Sequence, residues 1–179
     1  NVNGLISFGA GSSIASTTGS AISISSGTGT LGFTYDGSVS QANNAALLSV
    51  AGHNGSITFG AGSALSATNG TGLQFDNADG TYAFNGTTAL NGGDAGLDIL
   101  NGSAGSFTFA NASITSPTGA AINIADSTAS LSYTGSVTQA NNAALLSVLN
   151  HSGGTINFLS GTLTATNGTG LRFNNADGI

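Results

Sequence analysis

The chain has 179 residues and carries one Arg, no Lys, no Glu and seven Asp, for a net charge of −6. A single cation excludes the basic patch that phosphate-driven nucleic-acid binding needs, and the absence of Cys excludes disulfides, thiol catalysis and Cys-ligated metals. No apolar run approaches the roughly 18–20 residues of a membrane-spanning helix, so no such span is expected in this segment.

Charged residues make up 4% of the chain, against about 25% in ordinary soluble domains. A composition so rich in Gly, Ser, Thr, Asn and Ala would suit a disordered tract. Regularly spaced Leu, Ile, Val and Phe argue against that. Residue 1 is Asn and no charged-then-apolar leader opens the chain, as expected of a mature fragment or an excerpt from something longer.

The apolar residues fall into a recurring order. First comes a pair at i and i+2 (Ile6/Phe8), then a single residue (Ile14), then a second pair (Ile22/Ile24). The same order returns as Leu31/Phe33, Val39, Leu48/Val50, then as Ile57/Phe59, Leu65, Leu73/Phe75. It continues as Tyr82/Phe84, Leu90, Leu97/Ile99, and as Phe107/Phe109, Ile114, Ile122/Ile124. The last two rounds are Leu131/Tyr133, Val137, Leu146/Val148 and Ile156/Phe158, Leu163, Leu171/Phe173. We name the three series columns A, B and C. An apolar residue at every second position is the signature of a strand with one buried face. Between strands lie stretches such as Asn69-Gly70-Thr71-Gly72 and Asn77-Ala78-Asp79-Gly80, whose Gly and Asn tolerate the left-handed backbone of turns.

A longer repeat overlies the short one. Asn43-Asn44-Ala45-Ala46-Leu47-Leu48-Ser49-Val50 returns unchanged 98 residues later as 141–148, and Ala67 to Leu73 returns as 165–171. Rounds of about 25 residues make this unit four rungs, with copies over about 4–80 and 105–179 of a single repeat segment, 1–179. Three strands per rung, with like residues in register over about seven rungs, predict an all-β solenoid, a parallel β-helix. The right-handed form follows because parallel crossovers are right-handed in about 98% of cases.

The rungs suggest few sites. Paired carboxylates would suit glycoside chemistry, but Asp36, Asp76, Asp79, Asp94, Asp126 and Asp177 read as turn residues. Asp98 alone falls mid-strand on an outer face, with Gln74 and Asn123 as its stacked neighbours. His53 and His151 stand 98 residues apart after the Leu-Leu-Ser-Val strand, where they read as inherited loop residues without metal or triad partners. Gly92-Gly93-Asp94-Ala95-Gly96-Leu97-Asp98 has a trace of a calcium-binding glycine–aspartate turn. Asp76-Asn77-Ala78-Asp79-Gly80 is also rich in oxygen ligands, but its counterpart begins with Asn174, so a carboxylate is lost between copies. All nine Phe fall on inward columns and only Tyr35 looks free to face outward, which leaves no sugar-stacking platform. Beside column B runs a lattice of small hydroxyl residues, Ser13/Ala15, Ser38/Ser40, Ala64/Ser66, Ser113/Thr115, Ser136/Thr138 and Thr162/Thr164, interrupted at Ala89/Asn91. A regular hydroxyl lattice is what an ice-binding face would need. No catalytic, cofactor or metal residue is assigned.

Segments such as Thr155-Ile156-Asn157-Phe158 with Gly161-Thr162-Leu163-Thr164-Ala165, and Gly168-Thr169-Gly170-Leu171-Arg172-Phe173, resemble the passenger repeats of bacterial autotransporters and other large β-helical surface proteins. The resemblance covers the whole chain. It implies secretion to the cell surface and a role as stalk, fibre or adhesin. The expected function is therefore structural or adhesive and not enzymatic. Its first expected partner is itself, through end-to-end stacking or covalent continuation, and its second is other cell-surface components. The alternatives are a polysaccharide-acting β-helix enzyme and an ice-binding face.

Overall fold

A computed structural model describes residues 2–25 and 30–177. The described residues form strands and turns, wound into a parallel β-solenoid of about seven turns set about 25 residues apart. Column A is built by β1 (Gly4–Phe8), β4 (Leu31–Tyr35), β7 (Ser56–Phe59), β10 (Thr81–Asn91), β12 (Ser106–Thr115), β14 (Ser130–Gln139) and β16 (Ile156–Ser160). Column B is built by β2 (Ser13–Ala15), β5 (Ser38–Gln41), β8 (Ala64–Ala67) and β17 (Leu163–Ala165), and by the second halves of β10, β12 and β14. Column C is built by β3 (Ile22–Ser25), β6 (Ala46–His53), β9 (Gly72–Ala78), β11 (Gly96–Leu100), β13 (Ile122–Ser127), β15 (Leu146–His151) and β18 (Leu171–Ala176). Three strand positions per rung thus merge into two sheets, because β10, β12 and β14 run through the A–B corner with only a register shift.

Column C pairs as its spacing predicts in every rung, from Ile22↔Leu48 to Val148↔Phe173. Two registers elsewhere differ by two residues. In column A, Ile6 pairs with Phe33 and Phe8 with Tyr35, so the second-rung pair is Phe33/Tyr35 and not Leu31/Phe33. In column B, Leu65 pairs with Thr88, and Leu90 sits over Ala67. A slip of two keeps every side chain on its own face, so alternation alone does not exclude it. The first slip overturns the outward placement of Tyr35. Its ring lies 1% exposed in the core, and its hydroxyl donates to the Ser38 carbonyl at 3.2 Å.

The corrected register gives the core one ring per rung. Phe8, Tyr35, Phe59, Phe84, Phe109, Tyr133 and Phe158 follow one another with centroids 4.4–6.2 Å apart. Tyr82 and Phe107 stack beside this ladder at 4.6 Å. Such offset and tilted pairs add to the burial of the rings themselves.

The corner after column C explains the Asn-rich turns. Asn77, Asn101, Asp126, Asn150 and Asn175 occupy it in successive rungs with φ of 48–54°, and Gly52 holds the same place with φ 61°. Asn and Asp accept this left-handed backbone better than other side-chain-bearing residues. Stacked, they also bond to one another's neighbours: Asn150 Nδ2 donates to Asp126 at 2.8 Å, and Asn175 Nδ2 to Asn150 at 3.1 Å.

Candidate functional site

Three places hold polar groups in numbers: the outer face of column C, the corners, and the inside of the coil. On the outer face, one ladder runs Ser23, Ser49, Gln74, Asp98, Asn123, Ser147, Arg172. Asp98 sits at its centre, as expected. Gln74 Nε2 donates to one carboxylate oxygen at 2.6 Å and Asn123 Nδ2 to the other at 3.1 Å. Burial lifts the Asp98 carboxyl above the usual carboxylate range. The two amide donors pull it back, and the charge of Asp94 adds to the rise.

A half-buried carboxyl of raised affinity for protons has a measurable sign. The folded chain holds the Asp98 proton to higher pH than the unfolded chain does. Its stabilising contribution is therefore full below about pH 4 and is lost as pH rises through the folded value. We expect thermal stability to fall as pH rises from about 4 toward neutrality, and Asp98→Asn to reduce that fall. Identical melting-temperature profiles for the two proteins across this range would count against the burial argument.

Four of the remaining aspartates, Asp76, Asp79, Asp94 and Asp126, bond to an adjacent rung. Asp79 accepts from the Ala104 amide at 3.0 Å, Asp94 from the Gly119 amide at 2.6 Å, and Asp76 from Asn101 at 2.9 Å. Asp76 and Asp126 lie near the ends of β9 and β13 and not in loops between strands. No group of three or more His, Asp or Glu arranged for a metal occurs among the described residues. A cleft of about 510 Å³ opens over Ser49 and Gln74, walled by Ala45, Thr71 and Asp76. It brings no second carboxylate to face Asp76, so the two-acid arrangement of glycoside cleavage has no counterpart there.

Beside column B, Thr87 and Ala89 pair with Ala64 and Ser66 of the third rung, whereas Ala89 and Asn91 pair with Ser113 and Thr115 of the fifth, as expected from sequence. The lattice then runs through Ser13, Ser38, Ala64, Thr87 and Asn111 in one row and through Ala15, Ser40, Ser66, Ala89, Ser113 and Ser136 in the next. Hydroxyl and methyl still alternate irregularly along it.

The histidines lie inside, which corrects their placement in a loop. They end β6 and β15 at the inward corner that follows column C, in a stack of His53, Ala78, Ser103, Ser127, His151 and Ala176. His53 Nε2 meets the Leu31 carbonyl at 3.0 Å and Nδ1 meets the Tyr82 hydroxyl at 3.2 Å. The Tyr82 hydroxyl also donates to the His53 carbonyl at 2.8 Å, and burial pushes its pKa up to about 12. His151 is 3% exposed, and neither ring nitrogen has a partner among the described residues.

Two buried amides went unnoticed in the sequence. Gln41 and Gln139 are each 1% exposed at the B–C corner. Gln139 Nε2 donates to the Gly119 carbonyl at 2.9 Å and its Oε1 accepts from the Asn141 amide at 2.9 Å. Gln41 repeats this with the Gly19 carbonyl at 2.9 Å and the Asn43 amide at 3.0 Å. The available signal was the long repeat, whose identical block begins at Gln41 and Gln139 and not at Asn43.

No protein-family model, curated protein or solved structure matches this chain.

Proposed function

We propose that the chain is a rigid structural or adhesive module of a secreted or cell-surface bacterial protein, a stalk or fibre segment whose two end faces are covered by further coils. The observation that carries this reading is the contrast between middle and ends. Equivalent core positions are buried in the central rungs but exposed in the terminal ones: Ile6 and Phe8 at one end, Leu163, Leu171 and Phe173 at the other. Apolar end faces with open strand edges are templates for another coil, and stacks of repeats need their ends capped or continued. The polar groups fit the same reading, since most bond between adjacent rungs and hold the coil together.

In dilute solution the isolated chain is expected to associate end to end, visible as growing light scattering and as filaments by electron microscopy. A stable, monodisperse monomer would overturn the proposal. The competing reading, a polysaccharide-acting enzyme, would be favoured instead by cleavage of neutral or acidic polysaccharide that disappears in Asp98→Asn.

A further inference from the structure

His151 is a buried side chain with a missing partner, and its twin shows what is missing. The two histidines are equivalent: His53 stacks under Ala78, and His151 under Ala176, 98 residues on in each case. Around His53, the fourth rung supplies the Tyr82 hydroxyl to Nδ1, and Leu31 at the start of His53's own rung supplies its carbonyl to Nε2. Around His151 neither contact exists among the described residues. Leaving both nitrogens of a buried imidazole unpaired is unfavourable, because each loses its water without gaining a partner. The sequence counterpart of Leu31 is Ala129, which is itself buried at the start of the rung that His151 ends. The counterpart of Tyr82 is position 180, in the coil that would lie over the exposed Leu171 and Phe173.

We infer that the coil covering this end face brings a tyrosine hydroxyl over His151, so that the face selects a coil of the fourth-rung type and not the first coil of a second copy. This rests on the proposed function, in which the end faces are covered. The discrimination comes from register. In column A the place of Tyr82 is taken by Ile57 in the third rung, Phe33 in the second and Ile6 in the first. A second copy stacked by its first coil would set Ile6 over His151. That coil would cover the apolar groups and leave both ring nitrogens unpaired. A coil like the fourth would cover the same apolar groups and close the hydrogen bond as well. The end face therefore reads one polar atom in an otherwise apolar surface, and a buried donor or acceptor left unsatisfied is the strongest means of rejecting a near-fit partner.

The test extends the full chain at its C-terminus in three ways: with a copy of residues 82–106, with the same copy carrying Tyr82→Phe, and with a copy of residues 6–30. Melting temperature and the ring NMR signals of the two histidines are read for each, with His53 as internal reference. The first extension is expected to melt highest, about 2–4 °C above its Phe form, and to move the His151 ring signals while His53 stays fixed. Equal melting of the Tyr and Phe forms with unmoved His151 signals would overturn the inference, as would equal or greater stabilisation by residues 6–30. In either case the covered-end reading survives, because an added coil still stabilises. If no extension raises the melting temperature, both fail together.

Discussion

Phe109→Ala is expected to lower the free energy of unfolding by about 3–5 kcal/mol. Phe109 is 2% exposed and stands at the middle of the ring ladder. Its ring lies parallel to Phe84 at 4.4 Å and tilted against Tyr133 at 5.7 Å. Removing it strips contacts from both neighbours and leaves a cavity that parallel strands on three sides cannot close. In a solenoid each rung is held by the two beside it, so a defect in the fifth rung weakens the coupling between the halves of the stack. Asp98→Ala supplies the contrast, with an expected cost below about 1 kcal/mol. It gives up hydrogen bonds to Gln74 and Asn123, but it also removes a carboxylate whose charged form burial disfavours. Urea unfolding of both variants measures the difference. Similar losses would mean that the inward and outward faces are misassigned.

The same two residues show how much could be read from sequence. Phe109 and Asp98 were placed on the correct faces because period-2 alternation fixes the face of every strand residue. Column C was legible rung by rung, since each strand offers only one apolar pair. Columns A and B were not. Leu31, Phe33 and Tyr35 form an apolar triplet with two allowed pairings, and only stacking of the rings decides that Phe33 and Tyr35 are the ones in line with Ile57 and Phe59. At Thr88 the core takes a polar residue opposite Leu65, and its hydroxyl has no partner among the described residues. A search for apolar residues steps past such a position to Leu90.

Polar residues inside the coil were the harder part. His53, His151, Gln41 and Gln139 look like turn residues because they follow the apolar strand residues and stand within two positions of an Asn. Their burial arises from the corners, where the chain bends around the core and turns one side chain inward. A corner carbonyl pointing into the coil needs a donor that water cannot supply, and a long amide reaches it. Composition gives no hint of this. Unchanged recurrence of Gln41-Ala42-Asn43 as Gln139-Ala140-Asn141 does, once turn residues are allowed to be structural.

That demand on the corner makes Gln139→Ala the second large effect, at about 3–5 kcal/mol. The side chain serves two neighbouring turns at once. Its amide nitrogen donates to the carbonyls of Gly119 and Pro117 in the rung below, at 2.9 and 3.2 Å, while its oxygen holds the Asn141 amide of its own rung. Asn141 in turn donates to the carbonyls of Ser116 and Pro117 at 2.7 and 3.1 Å. Ser116 has φ 46°, a backbone conformation that side-chain-bearing residues adopt at some cost and that these bonds help to hold. Alanine leaves the half-buried Gly119 carbonyl and Asn141 amide without these partners, in a cavity the size of the missing amide. Gln139→Glu keeps the shape but replaces the donor with a second acceptor, so at neutral pH it sets an uncompensated charge against two carbonyls and is expected to be worse than alanine. Gln41→Ala is expected to cost less than Gln139→Ala, because Thr17 and Gly19, which Gln41 bonds, belong to a terminal rung with one face already open. Hydrogen exchange of the 116–121 turn, followed with urea unfolding, measures the effect where it should begin. A cost for Gln139→Ala below about 1 kcal/mol, with protection of that turn unchanged, would show that water replaces the amide and that the corners hold without it.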